Sequence, residues 1–170
     1  IGHMSPSYPL SLKICRDCLL VQLDDVESPE NLFTEYPYFS SYSNTRPEHY
    51  KNYSDKMEKR FGLGPKSHVV EIASNDGCLL QYFKKKNISV LGVEPAANVA
   101  AVAIKEGIPT FVKFFGCETA KILAANGNQA DLLFGNNVLA HVPNLNDFIS
   151  GQKLLLKPNG VITLEFPHVL

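Results

Sequence analysis

From Pro47 onward the chain repeats one pattern: a short apolar run, a turn, then a stretch whose apolar residues recur every three or four positions. Tyr50, Tyr53, Met57 and Phe61 follow at spacings of three, four and four. They mark one face of a helix that Pro47 can open and that Gly62, Gly64 and Pro65 close. Residues 68–73, HVVEIA, form a compact apolar run of the kind buried in a parallel sheet. Gly77 to Lys86 predicts a helix with Leu79, Leu80 and Phe83 facing inward, and residues 89–94 predict a second strand. Ala96 to Glu106 is an alanine-rich helix stopped by Gly107, and residues 109–112 are a third strand. Cys117 to Asn126 is a helix ended by Gly127, followed by a fourth strand at 131–136. Leu145 to Leu156 is a helix closed by Lys157-Pro158-Asn159-Gly160, and a fifth strand covers 161–166. This alternation predicts a parallel sheet with right-handed crossovers. Residues 5–46 show no such period and read as irregular, with Pro37 and Pro47 breaking regular structure.

Composition narrows the class. With 45% hydrophobic and 19% charged residues, the 170-residue chain can bury a core in one domain of ordinary size. A formal net charge of −1 excludes a general positive field for nucleic acid. No apolar run reaches the roughly 18 residues that span a bilayer, so no membrane partner is expected. Ile1-Gly2-His3-Met4 read as a vector remnant, and no signal peptide opens the chain. Four cysteines in this length are too sparse for a secreted disulfide framework, so a reducing cytoplasm is expected.

The chemistry concentrates after the strands. In VEIASNDGC (70–78) an acidic strand end leads through a tight turn into a helix. Amides at such a helix start favour a carboxylate, here the methionine end of S-adenosylmethionine (SAM). Glu71 can orient the turn or the ligand's ammonium, and Gly77 lets the backbone approach closely. The usual acidic-x-Gly-x-Gly-x-Gly pattern has Ala73 and Asn75 at its first two glycine positions. Glu94 ends the second strand, placed to bind both ribose hydroxyls of SAM or of NAD. Asn75 and Asp76 discriminate: a carboxylate beside a pyrophosphate disfavours NAD, whereas acidic surroundings suit a sulfonium and an ammonium. The candidate cofactor residues are therefore Glu71, Ala73, Ser74, Asn75, Asp76, Gly77, Glu94, Pro95, Asn136 and Asn137. Asn136, Asn137 and His141 follow the fourth strand, whose carboxyl end faces the ligand crevice.

VVEIASNDGCLL, LGVEPAANVA, NNVLAHVPNLNDF and LEFPH together resemble the sugar C-methyltransferases of deoxysugar biosynthesis. That family methylates C-3 of nucleotide-linked 4-keto-deoxyhexoses. The resemblance runs from about Tyr8 to the end. It implies an α/β fold, a Rossmann-like class I SAM-dependent methyltransferase core with a mostly parallel sheet, after an irregular remnant of a zinc-binding module. It also implies a nucleotide-sugar substrate and catalytic roles near the sugar for Tyr42 and His141. YFSSYS looks like the family's closing segment. YPLSLKICRDCLLVQL looks like half of its zinc module, holding one C-x-x-C where the family has two. Cys15 and Cys18 are then an empty half-site, since a structural zinc needs four ligands. The expected organisation is a remnant at 1–4, a partial zinc and lid segment at 5–46, and a SAM-binding domain at 47–170. The family's carboxy-terminal catalytic domain is expected to be missing. Two alternatives remain open: a non-catalytic SAM-binding module and an NAD-dependent sugar-modifying protein. His49 and His168 have no comparable support, and the oligomeric state is open.

Overall fold

The computed structural model describes residues 7–9, 11–23, 27–43 and 46–167. A short antiparallel hairpin pairs β1 (Lys13–Ile14) with β2 (Val21–Gln22). After it come α1 (Pro29–Phe33), a single 3₁₀ turn at Ser40–Tyr42, and α2 (Arg46–Phe61). The sheet strands are β3 (His68–Ile72), β4 (Ser89–Val93), β5 (Thr110–Phe111), β6 (Ala130–Asn136) and β7 (Leu156–Glu165). Between them lie α3 (Leu80–Lys84), α4 (Ala97–Lys105), α5 (Cys117–Ala125) and α6 (Leu145–Leu155). All sheet pairings are parallel, in the order β5-β4-β3-β6-β7. The first strand of the sheet is therefore central, and the order reverses beside it, which opens a crevice at the carboxyl ends.

Strand alternation divides the core into two layers. Val69, Leu132 and Phe134 pack with Tyr50, Met57, Leu80 and Phe83 on one side of the sheet. Val70, Ile72, Leu91 and Leu133 pack with Ala120, Leu123, Phe148 and Leu155 on the other. The predicted α2 face is the observed one: Tyr50 and Met57 are buried, and Tyr53 and Phe61 pack against the same cluster. Gly151 lets α6 approach the start of α5, because a Cβ there would stand 2.8 Å from the Gly116 carbonyl carbon.

Three differences from the periodicity have local causes. α3 starts at Leu80 rather than Gly77, because the preceding amides bond within the turn: Gly77 N to Ser74 O (3.0 Å) and Cys78 N to Asp76 Oδ1 (3.3 Å). An Asp side chain that captures a nearby N–H competes with the helical ladder. β7 follows α6 directly, and Lys157-Pro158-Asn159-Gly160 is a bulge within it. The strand advances from Leu156 to Val161 while its partner advances only from Ala130 to Leu132. Within the irregular segment, α1 forms because Ser28 Oγ accepts from Asn31 N (3.3 Å) and Pro29 fits the first turn.

Candidate cofactor and substrate site

The carboxyl ends of β3, β4, β6 and β7, the start of α2 and the Tyr36–Ser40 segment enclose a cavity of about 450 Å³. That size is ordinary for a small-molecule site. Glu71, Ala73, Ser74, Asn75, Glu94, Pro95, Asn136, Asn137 and His141 all line it.

The turn after β3 has the backbone of a glycine loop without its glycines. Ala73, Asn75 and Gly77 have φ of 56°, 51° and 71°. An asparagine tolerates this region, whereas an alanine pays about 1–2 kcal/mol for it. Ala73→Gly is therefore expected to leave stability unchanged or raise it by up to about 1 kcal/mol, after the entropy that glycine adds to the unfolded chain. Ala73→Val should lower it; chemical denaturation of the two variants is the check, and a clear loss for Ala73→Gly would refute the strain. Gly92 keeps the neighbouring strand bare, since a Cβ there would collide with Ser74 Oγ.

Glu94 is buried and ties the site together: Oε2 accepts from Asn75 N (2.8 Å) and Oε1 from Ala96 N (2.9 Å). Burial raises its carboxyl above the usual range, and these two amides pull it partly back. Glu71 has no such help. Its Oε2 is buried without a hydrogen-bond partner. Burial, then the charges of Glu94 and Asp76, push its carboxyl well above the ordinary carboxylate range.

Asn75, at the cavity wall, and Asp76, behind it, grip the aromatic segment. Ser40 N donates to Asn75 Oδ1 (2.8 Å), Asn75 Nδ2 to Tyr38 O (3.0 Å), and Ser41 N to Asp76 Oδ2 (2.9 Å). Asn98 on α4 pairs with both backbone groups of Tyr36, at 3.1 and 2.8 Å. The segment is thus strapped over the cofactor turn. Asp76 and Gly77 do not line the cavity; they shape the turn behind it. Tyr42 stands outside as well, 72% exposed, its ring 5.1 Å from that of Phe39. His141 sits in a 3₁₀ turn after β6, beside Phe33. Asn137 also has positive φ, 56°, and its N donates to Glu165 O.

Cys15 and Cys18 lie at the β1–β2 hairpin, where Cys15 N donates to Leu20 O (2.9 Å) and Leu19 N to Cys15 O (3.0 Å). Backbone hydrogen bonds from Cys18 and Asp17 hold the Cys15 thiol below its ordinary range. Among the described residues no group of three or more metal-ligating side chains converges. His168 lies outside the described residues.

Among the lining residues not anticipated from the sequence are Arg46, His49, Tyr50 and Glu165. His49 Nε2 is 3.4 Å from Glu165 Oε2, both side chains being about half exposed. Arg46 Nη1 donates to Ser40 Oγ and Tyr50 OH, each at 3.3 Å, and its guanidinium lies over the Tyr38 ring. Nothing local in RPEHY marks these positions, because α2 meets the strand ends only after folding.

An open parallel sheet with its order reversal at an acidic turn defines a Rossmann-like cofactor-binding domain. A methyltransferase domain model matches residues 70–162, and a zinc binding domain model matches residues 1–33. The C-methyltransferase NovU of Streptomyces niveus is 33% identical over 163 residues, 96% of this chain and 39% of that protein. The PH0226 protein of Pyrococcus horikoshii superposes with a TM-score of 0.63 at 16% identity, over 78% of this chain and 59% of its own. Coclaurine N-methyltransferase, solved with N-methylheliamine and SAH, gives 0.56 at 18% identity, over 76% and 39%. The chain belongs to the methyltransferase domain family, the SAM-dependent class expected from its first turn and second strand. It spans well under half the length of NovU.

Proposed function

We propose that this domain binds SAM in the cavity at the strand ends and serves a C-methyltransferase acting on a nucleotide-linked keto-deoxysugar. The observation that carries the cofactor assignment is the buried Glu71 carboxyl, whose Oε2 has no hydrogen-bond partner, in the cavity wall with Glu94. A buried acid without a partner is costly, and a ligand bearing ammonium and sulfonium groups offsets that cost. A dinucleotide pyrophosphate would add negative charge beside these carboxylates. When bound, SAM supplies an electrophilic methyl group.

The residues divide the remaining work. Glu94 meets the ribose hydroxyls with the lone pairs its two backbone donors leave, Glu71 faces the ammonium, and Asn136 and Asn137 border the side from which the acceptor enters. His141 lines the acceptor side, and Tyr42 reaches the acceptor only through movement of the strap that carries it. A keto group acidifies the neighbouring C–H, so a base within hydrogen-bond reach can generate the attacking carbon. The likeness to a C-methyltransferase over nearly the whole chain supports carbon as the acceptor. This reading places the protein in a cytoplasmic setting; no helix among the described residues is long and apolar enough to cross a membrane.

Calorimetric titration tests the cofactor: SAM and S-adenosylhomocysteine are expected to bind and NAD is not. Binding of NAD with no response to SAM would reject the assignment. A single-turnover assay with labelled SAM and a 4-keto sugar nucleotide, run on the whole protein, tests the reaction. For the metal, Cys15 and Cys18 supply two of the four ligands of a structural zinc. Elemental analysis of the 170-residue chain is expected to return less than one zinc per chain; a full equivalent, lost in Cys15→Ser, would refute this.

A further inference from the structure

The methionine end of SAM carries an α-carboxylate, which sits awkwardly in a cavity lined by Glu71 and Glu94. The amides of the β3–α3 turn are the obvious receptors, yet most are already used. Ala73 N and Ser74 N donate to Val93 O (2.8 and 3.3 Å), Gly77 N to Ser74 O, and Cys78 N to Asp76 Oδ1. Asn75 N is held by Glu94. α3 itself is a five-residue helix and offers little dipole. A carboxylate placed there needs a cation from elsewhere.

Among the described residues lining the cavity, Arg46 is the one with a permanent positive charge. Its position suits the task. Cys78, in the turn that follows the glycine-like loop, lines the same cavity as Arg46. Among the described residues its two side-chain hydrogen bonds, to Ser40 and Tyr50, are made through Nη1. A guanidinium presents five donors in a planar fork that matches a carboxylate. The Tyr38 ring and Ser40, themselves held by Asn75, fix that fork over the cavity.

We propose that Arg46 is the receptor for the amino-acid carboxylate of SAM, so that the strap and α2, rather than the β3–α3 turn, recognise the amino-acid end of the cofactor. This rests on the SAM assignment above. Recognition is then split: Glu94 reads the nucleoside, Glu71 the ammonium, and Arg46 the carboxylate.

The test uses two ligands that share the adenosine and the thioether. S-adenosylhomocysteine carries the amino acid; 5′-methylthioadenosine does not. Calorimetry on the wild-type chain, Arg46→Gln and Arg46→Lys separates the contributions. Arg46→Gln is expected to weaken S-adenosylhomocysteine by about 10- to 100-fold, the range for a hydrogen-bonded charge. Binding of 5′-methylthioadenosine should be unchanged, which also shows that the variant is folded. Arg46→Lys should fall between wild type and Arg46→Gln, because a point charge lacks the fork. Unchanged S-adenosylhomocysteine affinity in Arg46→Gln, or an equal loss for both ligands, overturns the role of Arg46. A wild-type chain that binds neither ligand overturns the SAM assignment itself.

Discussion

Replacing Glu94 by alanine is expected to weaken SAM binding by about 10- to 100-fold, the equivalent of losing hydrogen bonds to a charged group. The same change should destabilise the ligand-free chain. Glu94 accepts from Asn75 N and Ala96 N inside the protein, and alanine leaves both donors orphaned. Each buried unsatisfied donor costs on the order of 1–3 kcal/mol. The β3–α3 turn and the start of α4 should loosen together, which amide exchange would show as lost protection at Asn75 and Ala96. Because Asn75 also holds Ser40 and Tyr38, the strap should open with them. Full SAM affinity in Glu94→Ala would remove this carboxylate from the site, whatever its effect on stability.

Glu71→Gln should act in opposite directions on stability and on binding. In the ligand-free chain a buried carboxylate with an unpaired oxygen is a liability, and removing its charge should stabilise the fold by roughly 1–3 kcal/mol. At about 2–4 °C per kcal/mol for a chain of this size, the melting temperature should rise by several degrees at neutral pH. The pH dependence follows from the direction of the shift. Burial and the charges of Glu94 and Asp76 raise the folded-state value, so the folded chain holds this proton more tightly than the unfolded chain does. The associated stability is fully present below about 4.5, the ordinary value, and is lost as pH rises through the folded value. Glu94, also raised, adds to the same trend. Wild-type stability should therefore decline over that window more steeply than that of Glu71→Gln. SAM should bind the variant less tightly, because the ligand's positive charge loses its partner. Wild-type binding should release protons, seen as a buffer-dependent enthalpy. Identical pH profiles for wild type and Glu71→Gln would show that this carboxyl is not the strained group.

How much of this was legible in the chain depends on whether the cause is local. Strand and helix types were, because the compact apolar run in HVVEI marks a buried strand and the three-to-four spacing from Tyr50 to Phe61 marks one helix face before any contact forms. The two acidic strand ends were also legible, since a carboxylate closing an apolar run has no packing reason to be there. The missed details were competitive. Asp76 captures Cys78 N and delays α3, and β7 absorbs the Lys157–Gly160 turn as a bulge because pairing with β6 resumes on both sides of it. The loop departures from glycine looked like a weakened motif, yet the backbone keeps positive φ at Ala73 and Asn75.

By itself the sequence determined the α/β order and the acidic residues in the turn after the first sheet strand and at the end of the second, all of which follow from residue type at fixed spacing. Only the tertiary structure decided the roles of Asn75, Asp76 and Asn98 as anchors of the aromatic strap, the approach of His49 to Glu165, and the projection of Arg46 into the cavity. These pairs lie 35, 35 and 62 residues apart for the strap anchors. Such contacts depend on how α2 and the strap cross the strand ends, and that crossing is set by packing of whole elements rather than by any local pattern.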